Sequence, residues 1–240
     1  MVTVMVTVMA TAKPKYGNLN LNMGDAPPGA RLYLQMSGGL DSSYLAWRLL
    51  RDGYKLLVWH CSFRTHQQRW PHEDAAYNSI IDWLRSQGLT DFEELPQGVY
   101  SAGGAIDGWR LDYTFLWPEA GHHLRLYDHR RPQRKLTNGR EHIRHIVIPD
   151  HAESISVDRP PLRNAYEIMC KWADRRIARL HPMSKYDRFQ ILADMPPELI
   201  EMCWWCRKPK DGQPCHACST CKVVDPALEH IGYVGSGKAE

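Results

Sequence analysis

Two short stretches of this chain carry residue types that can do chemistry at their spacing. The first is Ser37-Gly38-Gly39-Leu40-Asp41-Ser42. Adjacent glycines let a backbone take positive φ and approach a ligand closely. Successive main-chain N–H groups at a helix start then form an anion-binding concavity. Ser37 and Ser42 add hydroxyl donors for phosphate oxygens. Asp41 would repel a bare phosphate, so its presence points to a counter-cation or a magnesium nucleotide. The run GxxxxGK followed by Ser or Thr is absent, and so is GxGxxG after this strand, which disfavours an ordinary P-loop or a dinucleotide fold. The alternative reading is a Gly-Gly turn with Asp41 or Ser42 as a plain helix cap.

The second stretch is Cys206, Cys215, Cys218 and Cys221, spaced C-x8-C-x2-C-x2-C. Two thiolate pairs bridged by a Gly-containing loop can wrap one tetrahedral ion, and four protein sulfurs leave no open coordination position, so the expected role is structural zinc. Cys203 with Cys206, Cys215 and Cys218 is a rival set, His216 could replace a sulfur, and an iron–sulfur cluster also uses thiolates. Cys61 and Cys170 stand alone in apolar segments and read as small buried hydrophobes.

Both stretches need elements to position them. RLYLQM before the glycines reads as a strand. DSSYLAWRLLRDG after them reads as a helix stopped by Gly53. YKLLVWH, PHEDAAYNSIIDWLRSQG ending at Gly88, and DFEEL continue as strand, helix and strand. This alternation predicts an α/β fold, a doubly wound parallel sheet, with a small C-terminal zinc-binding module. Asn138-Gly139 before REHIRHIVIP is a hairpin signal followed by a strand, and 163–180 reads as one helix. The expected divisions are a flexible extension at 1–30, an ATP-binding α/β domain at 31–195 with a basic, His-rich insertion or hairpin at 122–151, the metal module at 196–225, and a tail at 226–240. The repeated MVTV at the start suits a free terminus or an added edge strand.

Composition sets the outer limits. With 240 residues, 43% hydrophobic and 24% charged, a disordered or collagen-like chain is excluded. A net charge of +3 neither demands nor forbids a polyanionic partner. No apolar run reaches bilayer length, and the first apolar stretch lacks a basic residue before it, a poor signal peptide. Of the seven cysteines, five lie between 203 and 221, which fits metal ligation better than a disulfide framework. A soluble, cytoplasmic protein is the expectation.

SGGLDSS resembles the SGGxDS signature of PP-loop ATP pyrophosphatases, of the HUP-like fold. Together with the cysteine spacing it is similar to the 7-cyano-7-deazaguanine (preQ0) synthases of the QueC type. Pro161-Leu162-Arg163-Asn164-Ala165 resembles that family's P-G-R-N segment, and Ser184-Lys185, with Asp187 nearby, its L-S-K-x-E/D segment. The resemblance implies that Ser37, Gly38, Gly39, Leu40, Asp41 and Ser42 bind ATP and Mg2+, with Asn164 shaping that site. It implies Asp41, Arg163 and Lys185 as catalytic residues and Zn2+ on Cys206, Cys215, Cys218 and Cys221. It also implies an ATP-dependent C–N ligase that converts 7-carboxy-7-deazaguanine and ammonia to the nitrile through an amide. It leans to a homodimer, with nucleic acid not required.

The chain departs from the family pattern in three places. His60-Cys61-Ser62-Phe63-Arg64-Thr65-His66-Gln67 lacks the acid of an F-D-Y-G-Q-like segment. Leu162 replaces a glycine, and 122–151 has no counterpart. Two other outcomes therefore stay open. The reaction could stop at the amide or pass the activated deazaguanine to another amine, or the chain could bind nucleotide or nucleic acid without catalysis. Trp204-Trp205 could stack on a purine-like ring or cover the metal module.

Overall fold

The computed structural model describes residues 16–64, 68–101, 112–129, 143–153 and 160–233. Strand β1 (Arg31–Gln35) leads into helix α1 (Leu40–Arg51) and then β2 (Lys55–Trp59). After β3 (Cys61–Arg64) and α2 (Trp70–Ser86) come β4 (Phe92–Glu94) and β5 (Gly98–Ser101). Helix α3 (Asp112–His129), β6 (His145–Val147), α4 (Pro160–Trp172) and β7 (Ala178–Leu180) complete the sheet layer. Three helices close the chain: α5 (Arg188–Ala193), α6 (Pro197–Met202) and α7 (Cys221–His230).

The main sheet runs β4-β2-β1-β6-β7, and every neighbour pairs in parallel. A small parallel pair, β3 with β5, stands beside it. Side-chain alternation along the strands builds one core on each face. Leu32, Leu34, Leu56 and Val58 pack against α1, α2 and the last three helices. Tyr33, Leu57, Trp59 and Ile146 face α3 and α4. The fold is thus doubly wound. On the second face α3 crosses α4 so closely that a Cβ on Gly121 would lie 2.3 Å from the Met169 carbonyl oxygen, so only glycine fits there. Gly53 and Gly88 take positive φ just past α1 and α2, as stop signals do.

Strand order reverses between β1 and β6. In open α/β sheets the crevice beyond the carboxyl ends at such a switch point is where ligands bind. The turn after β1 opens there.

Four expectations change. Helix α4 ends at Trp172, Asp174 turns the chain at φ 56°, and β7 follows. The turn is held by Arg175, whose side chain donates to the Ile143 and Ala173 carbonyls, and Ile177 is buried beneath it. The strand beyond Asn138-Gly139 is β6, an interior parallel strand rather than one arm of a described hairpin; Asn138 and Gly139 themselves lie outside the described residues. In the extension, residues 16–30 are laid along the domain. Gly17 N–H donates to the Asp194 carbonyl at 2.9 Å, Asn18 N–H reaches Asp194 Oδ1 at 2.6 Å, and Leu19 N–H reaches Oδ2 at 3.2 Å. Arg48 holds the Gly17 and Leu19 carbonyls from α1. Residues 1–15 lie outside the described set. At the other end, the first residues of the expected tail are the second half of α7, with Ala227 and Leu228 buried.

Among the described residues no helix is long and apolar enough to cross a membrane.

Candidate nucleotide cleft and metal centre

The turn from β1 into α1 has its carbonyls engaged from behind. The Met36 carbonyl faces His60 Nδ1 at 2.7 Å. The Gly38 carbonyl accepts from Trp204 N–H at 2.9 Å. The Gly39 carbonyl accepts from Ser43 N–H at 3.1 Å and Ser43 Oγ at 2.7 Å. Ser37 and Ser42 tie the two ends of the turn through their hydroxyls, 3.3 Å apart. The N–H groups of Leu40, Asp41 and Ser42 open α1 and have no intrahelical acceptor. With the positive end of the helix dipole behind them, they suit an oxyanion.

Gly38 is fixed by geometry. It sits at φ 78°, and a Cβ there would lie 2.6 Å from the Glu73 carbonyl oxygen and 2.9 Å from Tyr77 N in α2. Gly39 is less crowded, with Ser37 Oγ 3.2 Å from a built Cβ.

The cleft in front of the turn has a volume of about 240 Å³. Ser37, Gly39, Leu40, Asp41 and Ser42 form its floor, and Trp59, Phe63, Arg69 and Glu73 one side. Trp204, Trp205 and Arg207 from the cysteine module form the other. Arg163, Asn164 and Lys185 are not in its lining. The first two are exposed on the opening turn of α4, and the Lys185 ammonium lies 5.1 Å from the Tyr186 ring centre.

Beside Arg69 and Arg207, the cleft is lined by Arg188, the first residue of α5. A capping box between Asp187 and Gln190 fixes that helix start. Arg188 is 7% exposed, pairs with the Asp41 carboxylate, and donates from Nη2 to His151 Nε2 at 2.8 Å. A guanidinium only donates, so His151 must accept, and its imidazole is neutral. Burial pushes the His151 pKa below its usual value, partly opposed by the Asp41 charge. Sequence reasoning missed Arg188, because nothing in SKYDRF separates it from a surface arginine. The buried Nε of Arg188 and Nε1 of Trp59 and Trp205 have no hydrogen-bond acceptor among the described residues. Three spare donors among the residues lining one cleft suit an acceptor-rich ligand such as a nucleotide.

The sulfurs of Cys206, Cys215, Cys218 and Cys221 all lie within 4.8 Å of one another. Backbone N–H groups point at them: Cys215 N to Cys206 Sγ at 3.2 Å, Cys218 N to Cys215 Sγ at 3.3 Å, and Cys221 N to Cys218 Sγ at 3.5 Å. For Cys218, burial raises the pKa, but the backbone N–H groups of Cys221 and Arg207 outweigh it and bring the thiol to about 6. Burial, and then the hydrogen bonds with Cys218 and Cys206, push Cys221 up. The four sulfurs therefore compete for negative charge, a conflict that a central divalent cation removes. The set could bind zinc, and all four ligands are protein sulfurs. The rival ligands fall away. Cys203 Sγ donates to the Leu199 carbonyl at 3.1 Å, with burial pushing its thiol up to about 12. His216 Nδ1 lies 2.8 Å from Asp225 Oδ2 instead. Trp204 stacks on His72, ring centres 4.1 Å apart, so it is already paired face to face within the fold.

No family model and no curated protein sequence matches the chain. Among solved structures, the chain is similar to the U34-tRNA thiolase NcsA from Methanococcus maripaludis with its 4Fe-4S cluster. The identity is 12% and the TM-score 0.41, over 90% of this chain and 71% of that one. It is also similar to NMN synthetase from Francisella tularensis, at 12% identity and TM-score 0.39, over 86% of this chain and 83% of that one. A universal stress protein in complex with cAMP aligns at 12% identity and TM-score 0.32, over 65% of this chain and 98% of that one. Likeness at this distance leaves the chemistry to the chain's own residues.

Proposed function

We propose that the chain is an ATP-dependent enzyme of the PP-loop pyrophosphatase type. In this reading it activates the carboxylate of 7-carboxy-7-deazaguanine and, with ammonia, makes the 7-cyano product. The observation that carries the reading is the turn at 36–39, whose Met36, Gly38 and Gly39 carbonyls are held within the fold while its residues and the opening residues of α1 line the switch-point cleft.

A carboxylate is a poor electrophile until one oxygen becomes a leaving group. Its attack on the α-phosphorus of ATP gives an acyl adenylate and releases pyrophosphate. Ammonia then displaces AMP to form the amide. A second ATP activates the amide oxygen, and loss of AMP and a proton leaves the nitrile. The loop N–H groups and Arg188 would stabilise charge on the phosphates, the main contribution a protein makes to such a step. Asp41 would exchange its pair with Arg188 for the magnesium that accompanies the nucleotide. Arg188 takes the cationic role first expected of Arg163 and Lys185. Zinc on the four cysteines, with its coordination filled by sulfur, would fold the wall carrying Trp204, Trp205 and Arg207 rather than take part in the reaction.

The test is incubation with 7-carboxy-7-deazaguanine, ATP, magnesium and ammonium, read by product mass and AMP release. The nitrile with AMP supports the full reaction, and a stable amide limits it to the first half. Unchanged substrate without AMP release, from folded and metal-loaded protein, overturns it.

A further inference from the structure

Beneath the phosphate loop lies a buried polar line that the proposed reaction does not itself use. His60, directly after β2, is 1% exposed. Its Nδ1 lies 2.7 Å from the Met36 carbonyl oxygen and its Nε2 lies 2.8 Å from Asp74 Oδ1 in α2. Ser62 Oγ donates to the other Asp74 oxygen at 2.9 Å, and Tyr77 stacks on the imidazole with ring centres 4.3 Å apart. A carbonyl oxygen only accepts, so Nδ1 carries a hydrogen. One further proton sits between Nε2 and Oδ1. On whichever atom it rests, the Nδ1–H group is aimed at Met36.

That carbonyl shares a rigid peptide plane with the Ser37 N–H, which donates to Ser42 Oγ at 3.2 Å. Met36 N–H is held on its other side by the Trp59 carbonyl at 2.9 Å. The turn of α2 that bears Asp74 is also the one Gly38 rests against. A buried pair of this kind adds little net stability over apolar packing of the same shape. What it adds is a fixed direction.

We propose that His60 is a positioning residue for the phosphate loop: backed by Asp74 and Ser62, its Nδ1–H sets the Met36–Ser37 peptide plane, so that the cradle is formed before nucleotide arrives. This rests on the nucleotide reading of the loop given above.

Two pairs of variants test it, with Mg2+ and the non-hydrolysable ATP analogue AMP-PNP as probe and calorimetry and thermal melting as readouts. In His60→Asn the amide nitrogen falls near the place of Nδ1, whereas in His60→Gln it falls near that of Nε2. His60→Asn is expected to bind the probe within about threefold of wild type and His60→Gln about tenfold more weakly, the worth of one well-placed hydrogen bond. Their melting temperatures should be similar. Asp74→Ala is expected to weaken binding by a like factor and Asp74→Asn to restore it, because an amide can donate to Nε2 and still accept from Ser62. The KM for ATP should move with these affinities while kcat changes little. Equal affinities for Asn and Gln at position 60, or no recovery in Asp74→Asn, would overturn the positioning role while wild type still binds the probe. A wild-type protein that does not bind it would overturn the nucleotide reading instead.

Discussion

The glycine turn after β1 and the four-cysteine module are joined by a hydrogen bond from Trp204 N–H to the Gly38 carbonyl, but they hold their shapes in different ways. The loop is a main-chain object. Its carbonyls are satisfied by His60, Trp204 and Ser43, and α1 behind it buries Leu40, Tyr44, Leu45 and Leu49 in the sheet core. The module between α6 and α7 is a side-chain object. Lys210 and Gln213 form an isolated bridge within it, and its buried cluster consists of Cys206, Cys218 and Cys221. One region is held by hydrogen bonds within the chain, and the other gathers four sulfurs that could hold a cation. The two walls of a single cleft therefore answer to different perturbations.

The strongest way to probe that contrast is to remove the cation. Cys215→Ser, or stripping by a chelator, should release the metal and lower the melting temperature by more than about 10 °C, the scale of losing a structural metal site. Nucleotide binding should weaken with it, because the Trp204 wall is no longer anchored. Elemental analysis and calorimetry check both, and full nucleotide affinity in metal-free protein would show the regions to be independent. Gly38→Ala attacks the other side. A left-handed φ costs about 1–2 kcal/mol for an L-residue, and the new Cβ meets the Glu73 carbonyl, so nucleotide binding should fail while metal content stays full. Arg188→Gln is narrower still. Turnover should fall about 10²-fold, the scale of losing one charge-stabilising donor, with metal content nearly unchanged.

The smallest effect is one of pH. Because burial depresses the His151 pKa, the unfolded chain takes up this proton before the folded one does as pH falls. Stability therefore declines on acidification below about 6.5, the ordinary histidine value, and is unaffected by this group above it. Urea midpoints at pH 7 and pH 5.5 should differ less in His151→Gln, which keeps an acceptor for Arg188. An equal difference in that variant would remove His151 from the account.

Legibility in the sequence followed the same division. Two glycines between a strand and a helix announce a main-chain site, and four cysteines at tight spacing announce a metal site. Both signals are local. What escaped was set by distant partners. Arg188 meets Asp41 across 147 positions, and residues 16–30 lie down because Asp194, 176 positions beyond Asn18, accepts their N–H groups. The end of α4 was hidden for another reason. Asp174 turns the chain without glycine or proline, leaving RNAYEIMCKWADRRIARL to read as one unbroken helix. His60 was noticed only for the acid that its own segment lacks, since Asp74 belongs to the next helix.

The strap at 16–30 also bears on where the chain can be cut. A fragment cut at Arg31 would strip three N–H donors from the Asp194 peptide and carboxylate, leaving that carboxylate the Tyr44 hydroxyl at 2.6 Å, and would uncover the guanidinium of Arg48. Anyone truncating, tagging or fusing this chain should therefore keep the segment from Tyr16, fifteen residues upstream of the first strand, intact.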